Sequence, residues 1–278
     1  MDLNIPEVSS SLASCQLDND VLVLKRPEYI RLVPDDWSYM GEGNANILFA
    51  YNGDSAELRG WLLRLTKCDC VAGSDTNIAS WSNELRIKST NVIYACNVIG
   101  PLLGPEYILP QRLVALEKGF LCNLMLACEP LRPAHRTHRH IDVERSVGVL
   151  TLNQLLNSAV NGGSRLSQSV TVELKPKWGF MPSANLVSPQ NAVKSRTCRY
   201  CMHQLTKHGV PHVSSFCPLD LFSKTRCRVV QALDSLAQSP QNNMRLFVNG
   251  QHVVDGSGKI SETCLPEWLA LRDCIADI

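Results

Sequence analysis

The segment SVTVELKPKWGFMP, residues 169–182, decides the fold that the sequence predicts for the second half of the chain. Side chains of an extended strand alternate between its two faces. Three apolar residues therefore face one side, namely Val170, Val172 and Leu174. Glu173 and Lys175 share the other side with Thr171. The segment predicts a strand over residues 169–175 with one apolar face and one charged face.

Pro176 and Lys177 follow directly after this strand. Proline has no N–H to donate to a neighbouring strand, so the regular strand is expected to end there. A lysine ammonium acts as a compact point charge. Lys175 and Lys177, held at a fixed separation, therefore suit two different phosphate groups. A half-exposed edge strand with ordinary surface lysines is the alternative interpretation.

The composition allows a folded protein of one large domain or of two lobes that share a cleft. The chain has 278 residues, of which 45% are hydrophobic and 19% charged, values that support a core and argue against disorder. A formal net charge of +1 gives no overall reason to expect nucleic acid or an anionic membrane as a partner. The start, MDLNIPEVSS, lacks the pattern of a signal peptide, and no apolar stretch is long enough to span a bilayer. An anion site must therefore be built locally.

The secondary-structure pattern indicates an α+β protein, because strands and helices are mixed without strict alternation. Residues 37–53 and 56–67 predict two strands joined at Asn52-Gly53, and residues 244–254 predict a hairpin that turns at Asn249-Gly250. Residues 192–207 and 224–238 predict helices, the second with apolar Val229, Leu233 and Leu236 at helical spacing. Residues 96–110 predict a punctuated connector, and a helix is expected to begin near Trp81. Residues 111–128 fit either a helix or a helix followed by a strand.

Three regions follow from this pattern. Residues 1–34 form a poorly defined extension, residues 35–150 a first lobe, and residues 151–278 the first part of a second lobe. Residues 146–156, SVGVLTLNQLL, are expected to connect the lobes.

A glycine-containing turn lies between the first apolar runs. Residues 41–46 read GEGNAN, and glycines let backbone amides approach phosphate oxygens closely. The segment lacks the pattern of a P-loop, so it predicts either a β-turn over nucleotide phosphates or a plain hairpin turn. Arg64 lies among apolar neighbours further along. It fits a cation for those phosphates or an arginine that snorkels from a sheet face.

Three further groups of polar residues could bind anions. The first group is a basic run of six residues: Arg132, His135, Arg136, His138, Arg139 and His140. Its guanidinium groups suit phosphate, and a solvated loop is the alternative interpretation. If residues 195–207 are helical, Arg199, His203 and Lys207 lie four residues apart and form one cationic stripe. A solvated helix face is the alternative interpretation. Asn242 and Asn243 can donate to hydroxyls and phosphates, and can equally cap or turn the chain.

Twelve cysteines suit a reducing compartment with mostly free thiols, because a chain of this length and composition needs no disulfide scaffold. Cys198 and Cys201 form a CxxC pair with Cys217 and several histidines (His203, His208, His212) nearby, which superficially resembles a zinc site. No second CxxC pair accompanies it. We therefore assign no metal ligands from the sequence, and zinc at this cluster stays an alternative.

Several of these segments resemble, in order, those of the inositol-pentakisphosphate 2-kinases. The resemblance covers roughly residues 36–258 and is carried by GEGNAN, PLLG, RPAHR, VELKPKWGFMP, CRYCMHQ, CPLDLF and QNNMRLFVNG. The Glu-x-Lys-Pro-Lys motif at residues 173–177 is similar to that family's hallmark, and CRYCMHQ and CPLDLF are most similar to animal members.

The resemblance implies an enzyme that transfers the γ-phosphoryl group of ATP, with magnesium, to the 2-hydroxyl of inositol 1,3,4,5,6-pentakisphosphate, giving phytate. It implies a two-lobed, distantly protein-kinase-like fold and a monomer of the cytoplasm and nucleus, without membrane or nucleic-acid partners. The positions that match nucleotide contacts are Gly43, Asn44, Ala45, Asn46, Arg64, Glu173 and Lys175. Those that match inositol phosphate contacts are Arg136, Lys177, His203, Lys207, Asn242 and Asn243.

The chain departs from the family pattern at its end. The family's catalytic and metal-binding aspartates are expected beyond Ile278, so the second lobe is expected to be incomplete and the catalytic residues stay unknown. Asp273-Cys274 resembles only faintly the segment that holds the family's catalytic aspartate, and Asp273 is therefore not assigned that role. Lys67 is expected to stand in for a further family arginine. An active kinase, a fragment that only binds nucleotide or inositol polyphosphate, and a zinc-dependent nucleic-acid module are the competing functions.

Overall fold

The computed structural model describes residues 27–69, 87–88, 91–155, 169–206, 213–253 and 260–277. The chain divides into two compact units, Met1–Asn153 and Gln154–Ile278. Each unit contains one β-sheet and helices. The predicted α+β class is therefore confirmed.

The first unit is built on a sheet whose neighbouring strands are antiparallel, in the order β1-β2-β3-β6-β4, with β5 paired to β3. The strands are β1 (Trp37–Glu42), β2 (Asn46–Tyr51), β3 (Trp61–Cys68), β4 (Gln111–Ala115), β5 (His140–Ile141) and β6 (Val147–Leu152). A π-helix (Ala95–Ile99) runs into α1 (Gly100–Leu103), and α2 spans Lys118–Cys128. Short 3-10 turns lie at Pro34–Asp36, Pro105–Tyr107, Glu129–Leu131 and Ala134–Arg136.

The core of this unit lies between one face of the sheet and α2. Alternate residues of β2 and β3 point into it because strand side chains alternate. The contributors from these strands and from α2 include Ile47, Phe49, Leu63, Leu65, Phe120, Leu121 and Leu124. Burial of this apolar surface places the side chains of Leu63 and Leu65 on the face of β3 that packs against the core. Arg64, between them in the sequence, lies on the other face.

Three sequence predictions in this unit are wrong in detail. The predicted strand over residues 37–53 is two strands, because the glycine turn separates β1 from β2; Asn52-Gly53 lies in the connection to β3. Residues 111–128 form a strand and then a helix, the reverse of the predicted order, because Gln111–Ala115 pairs with β6. The connector at residues 96–110 is largely helical, with Pro101 in the first turn of α1, where no intrahelical N–H is needed.

The second unit contains an antiparallel sheet in the order β7-β8-β9. Its strands are β7 (Val170–Leu174), β8 (Met244–Val248) and β9 (Gln251–His252). Its helices are α3 (Arg199–Thr206), α4 (Pro218–Leu221), α5 (Arg226–Gln238) and α6 (Leu265–Ala276). Further 3-10 turns lie at Ala184–Leu186, Pro189–Ser195 and Glu262–Cys264.

The predicted faces of β7 are confirmed. Val170, Val172 and Leu174 pack on a core that includes Phe216, Leu233, Leu236, Leu246 and Trp268. The predicted hairpin is also confirmed, since Asn249 and Gly250 both have positive φ, 51° and 79°, as a type I′ turn requires. The helix over 224–238 is present as α5. The helix predicted for 192–207 begins only at Arg199. The expected start of a helix near Trp81 lies outside the described residues, while residues 87–88 and 91–94 are helical.

Candidate functional site

The predicted nucleotide turn, residues 43–46, is the hairpin connection between β1 and β2. The carbonyl oxygens of all four turn residues accept hydrogen bonds. Side chains donate to two of them: Lys67 Nζ to Gly43 O at 3.1 Å, and Arg139 Nη1 to Asn44 O at 2.8 Å. Backbone N–H groups donate to the other two: that of Lys67 to Ala45 O at 2.9 Å, and that of Gly43 to Asn46 O at 2.8 Å. Within the described part of the chain, the N–H groups of Asn44 and Ala45 donate to no backbone carbonyl. The turn is thus held through its carbonyls and keeps two N–H donors for an anion.

A buried ionic cluster supports this turn. The carboxylate of Glu42 forms ion pairs with Lys67 and Arg132, and each of the three side chains is 1% exposed. Burial raises the pKa of Glu42, but hydrogen bonds from Arg132 and Lys67 lower it by more, so the pKa lies below its ordinary value. Arg132 also bonds Glu129, 2.9 Å away. Neither cation is available to phosphate, so the expectation that Lys67 replaces a family arginine is wrong.

Arg64 and Lys67 lie on different faces of β3. Within the sheet, the cross-strand neighbours of Arg64 are Leu48 of β2 and Val149 of β6. Burial lowers the pKa of Arg64, and no acidic side chain pairs with it among the described residues. Lys88 reaches the same face, where its Nζ donates to Thr66 Oγ1 at 2.7 Å. Sequence reasoning missed Lys88. A half-buried guanidinium without an acidic partner is suited to an anion from solution.

Arg136, a predicted substrate ligand, ends the 3-10 turn Ala134–Arg136 in this same unit. Its N–H donates to Pro133 O at 2.8 Å, and its carbonyl accepts from Arg132 at 2.8 Å. Because Arg132 also binds Glu42, the backbone of Arg136 is connected to the residue that precedes the glycine turn. In the part of the chain that the structure covers, the Arg136 guanidinium forms no ion pair.

In the second unit, Glu173 lies between two cations. Lys175 Nζ is 3.7 Å from Glu173 Oε1, and Arg245 Nη1 is 3.5 Å from Glu173 Oε2. Glu173 and Arg245 are direct partners across β7 and β8. Sequence reasoning assigned no role to Arg245, although alternation in the predicted strand MRLFV places this residue on the exposed side. All three side chains are about half exposed, so a polyanion can compete for both cations.

Lys177 lies just beyond the end of β7 in the left-handed backbone region, with φ of 61°. This conformation is disfavoured for a residue with a Cβ atom. The next residue, Trp178, is covered by the guanidinium of Arg199, 4.7 Å from the ring centroid. Arg199 begins α3. The motif and the N-terminal end of α3 are therefore in contact.

Asn243 connects the same elements from the other side. Its carbonyl accepts from Lys175 N–H at 2.7 Å, and its Nδ2 donates to Tyr200 Oη at 2.7 Å. Asn243 is buried, and its Oδ1 has no partner in the described residues. Asn242 is exposed. These two hydrogen bonds join the end of β7, the start of β8 and the first turn of α3.

His203, the next predicted substrate ligand, is exposed on α3. The following residue, Gln204, is buried and exchanges two hydrogen bonds with the Ser214 backbone, at 2.8 Å and 3.2 Å. These bonds fix the orientation of α3. Lys207, predicted on the same stripe, lies outside the described residues.

The structure thus brings Lys175, Lys177, Asn242, Asn243 and His203 onto connected segments of the second unit. The turn at 43–46, Arg64 and Arg136 belong to the first unit.

Magnesium does not find a ligand set among these residues. Glu173 is the one carboxylate of the predicted site, and it faces Lys175 and Arg245. Asp273 of α6 is paired with Arg226 and Arg272, at 3.6 Å and 2.9 Å. Such ion pairs differ from the oxygen-rich surroundings that magnesium takes, so these described residues do not fit a magnesium site.

Comparison with known proteins decides the family. The family model described as inositol-pentakisphosphate 2-kinase matches residues 39–267. The chain belongs to the inositol-pentakisphosphate 2-kinase family. The match contains the glycine turn, Arg64, Arg136, the β7 motif and α3.

Curated members of the inositol-pentakisphosphate 2-kinase family from plants and fish are similar to this chain. The inositol-pentakisphosphate 2-kinase of Arabidopsis thaliana is 32% identical over 256 residues, covering 84% of this chain and 56% of the relative. That of Danio rerio is 31% identical over 227 residues, covering 81% and 45%. The rice protein, from Oryza sativa subsp. indica, is 30% identical over 262 residues, covering 87% and 58%. The chain thus spans about half the length of these curated relatives.

Two other sequence expectations can be compared with the structure. Free thiols among the described residues include those of Cys122, Cys128, Cys198, Cys201, Cys217, Cys227, Cys264 and Cys274. None of the described helices is both long and apolar enough to cross a membrane.

Proposed function

We propose that this chain binds ATP and inositol 1,3,4,5,6-pentakisphosphate and phosphorylates the 2-hydroxyl to give inositol hexakisphosphate. The observation that carries the proposal is the joining of Lys177, Arg199 and Asn243 at the end of β7. These residues lie on three separate chain segments, and the Trp178–Arg199 stack and the Asn243–Tyr200 bond hold the segments together. A substrate with five phosphates needs several convergent cations, and Lys177 and Arg199 place two cations at this end of β7.

The nucleotide part of the proposal assigns phosphate contacts to the glycine turn and Arg64 in the first unit. The N–H groups of Asn44 and Ala45 would donate to phosphate oxygens, and Arg64 would supply the positive charge. Glu173 and Lys175 are proposed as further nucleotide contacts. We further propose that the two units correspond to the two lobes of a distantly kinase-like fold.

The substrate part assigns inositol phosphate contacts to six residues, Arg136, Lys177, His203, Lys207, Asn242 and Asn243. Lys177 has a fixed backbone position after Pro176, and α3 presents His203 on an exposed face. Phosphoryl transfer depends mainly on positioning the reacting groups and on stabilising charge in the transition state. These residues act by binding and orienting the substrate. A residue that accepts the proton of the 2-hydroxyl is not assigned.

Two assays on the purified chain test the proposal. Incubation with ATP, magnesium and inositol pentakisphosphate should give inositol hexakisphosphate, detected by anion-exchange chromatography. Calorimetric titration should show binding of inositol hexakisphosphate that Lys177→Ala weakens and that Lys118→Ala, at an exposed surface pair of the first unit, leaves unchanged. Binding without turnover would support the alternative, a fragment that only binds these ligands. Failure of both ligands to bind would contradict both functions.

A further inference from the structure

Two basic side chains hold consecutive peptide units of the glycine turn. Lys67 Nζ donates to Gly43 O at 3.1 Å, and Arg139 Nη1 donates to the next carbonyl, Asn44 O, at 2.8 Å. A peptide unit is planar and trans, so its N–H points away from its C=O. The two contacts therefore aim the N–H groups of Asn44 and Ala45 away from the side chains of Lys67 and Arg139. The side chains that bind the carbonyls thus set the orientation of both donors.

The pairing of β3 with β5 positions Arg139 for this contact. Cys68 lies opposite His140 in this pair, so the next position in register places Arg139 opposite Asp69. Arg139 Nε is 2.7 Å from Asp69 Oδ1, and Nη2 donates to Oδ2 at 3.3 Å. A carboxylate that meets two nitrogens of a guanidinium restricts its orientation. Asp69 thereby directs the third nitrogen, Nη1, towards Asn44.

The backbone of Arg139 is anchored to the buried ionic cluster. Its carbonyl accepts a hydrogen bond from Arg132, which is paired with Glu42. Its N–H donates to Arg136 O at 3.3 Å. The side chain of Arg139 is 18% exposed, whereas that of Asp69 is 76% exposed. Both the backbone and the guanidinium of Arg139 are therefore held, and the carboxylate that orients the guanidinium lies at the surface.

We infer that Arg139 and Asp69 are positioning residues of the glycine turn, and that they act on ATP binding through the peptide between Asn44 and Ala45. The inference rests on the proposed function, in which the N–H groups of Asn44 and Ala45 donate to ATP phosphates. Donors that already point towards a ligand need not be ordered when it binds, and this raises affinity. Because Arg139 binds the Asn44 carbonyl and the Asp69 carboxylate, its role is to orient the peptide.

The charge of Asp69 separates this role from simple electrostatic attraction. If Arg139 attracts ATP by its charge alone, removal of the neighbouring negative charge strengthens ATP binding. If Asp69 orients the guanidinium, the same removal weakens ATP binding. Asp69→Ala therefore gives opposite results for the two roles.

Calorimetric titration of the full 278-residue chain with ATP tests the inference. Arg139→Ala should weaken ATP binding about 10-fold, which corresponds to one hydrogen bond from a charged group. Asp69→Ala should weaken it by a smaller factor. The matched control is Arg145→Ala, which removes an arginine of the same segment that pairs with Asp142 at 2.6 Å. This control should bind ATP as the wild type does.

The possible results distinguish the inference from the proposed function. Unchanged ATP affinity in Arg139→Ala, or tighter binding in Asp69→Ala, overturns the inference and leaves the proposed nucleotide contacts intact. Absence of ATP binding by the wild type overturns both. Thermal unfolding shows whether each variant is folded, and the exposed position of Asp69 keeps the test available if Arg139→Ala does not fold.

Nuclear magnetic resonance shows whether the change arises at the turn. Without nucleotide, Arg139→Ala should shift the carbonyl carbon signal of Asn44 upfield, because this carbonyl loses its hydrogen bond. The signal of the Asn46 carbonyl, which accepts from Gly43 N–H at 2.8 Å, should stay in place. Addition of ATP should move the amide signals of Asn44 and Ala45 in the wild type and move them less in Arg139→Ala. Equal movement in the two proteins contradicts a positioning role.

Discussion

The guanidinium of Arg132 binds both carboxylate oxygens of Glu42, with Nε 2.9 Å from Oε1 and Nη2 3.0 Å from Oε2. The two residues are 90 positions apart in the chain. Their side chains are almost completely buried, and Lys67 pairs with the same carboxylate. Arg132 also donates to the carbonyl of Arg136. The ion pair therefore holds the backbone at Arg136 close to Glu42, which directly precedes the glycine turn at residues 43–46.

Glu42→Gln should strongly destabilise the first unit. The substitution removes the negative charge and leaves Lys67 and Arg132 buried without it, for which the cost is about 3–5 kcal/mol. Urea unfolding of the purified chain measures the change. The control is Glu144→Gln, which breaks an exposed pair with Lys118 and should cost less than about 1 kcal/mol. Equal effects of the two substitutions would contradict a structural role for Glu42.

The same carboxylate should make stability depend on acid pH. Because its folded pKa lies below the ordinary value of 4.5, its contribution is fully present above that value and is lost as the pH falls through the folded pKa. The wild type should therefore lose more free energy of unfolding below pH 4.5 than Glu42→Gln does. Thermal unfolding across this range measures the difference. Parallel curves for the two proteins would show that Glu42 does not titrate in this way.

Arg64→Met should weaken ATP binding without destabilising the protein. Burial disfavours the Arg64 charge and no described acidic side chain compensates, so an apolar replacement costs the fold little. Loss of a charged hydrogen-bond donor to phosphate weakens binding by about 10- to 100-fold. Calorimetry and thermal unfolding give the two quantities. Arg59→Met, at an exposed position of the β2–β3 connection, serves as the control, with ATP affinity expected to be unchanged.

Lys177→Ala and Lys177→Gly form a pair that separates charge from backbone strain. Both remove the ammonium and should weaken inositol hexakisphosphate binding to a similar extent. Alanine at φ of 61° keeps the steric cost of the left-handed region, whereas glycine does not. Lys177→Gly should therefore be more stable than Lys177→Ala by about 1 kcal/mol. Identical unfolding free energies would mean that this backbone position is not strained in solution.

Local patterns predicted those parts of the fold that depend on neighbours in sequence. The faces of β7 follow from strict alternation, and the turn at Asn249-Gly250 follows from two residues that tolerate positive φ. The period of α5 is equally visible, since Leu233 and Leu236 are buried. Each of these signals lies within one short segment.

Elements that depend on distant partners were not predictable in the same way. Residues 111–115 have a sequence compatible with a helix, and only their pairing with β6 makes them a strand. The same limit applies to the candidate site. Glu42, Lys67 and Arg132 show no joint pattern in the sequence, and Arg245 acquires a role only through its register with Glu173.

The pairing of β7 with β8 has a consequence for synthesis of the chain. Ser169 N–H donates to Asn249 Oδ1, 80 residues later, and β7 pairs with β8 along its length. Closing so long a connection is slow, and β7 leaves the ribosome well before its partner. Its apolar face, Val170 to Leu174, then has no strand beside it. The segment with the Glu-x-Lys-Pro-Lys sequence therefore keeps its apolar face unpaired until residues 244–248 have been synthesised.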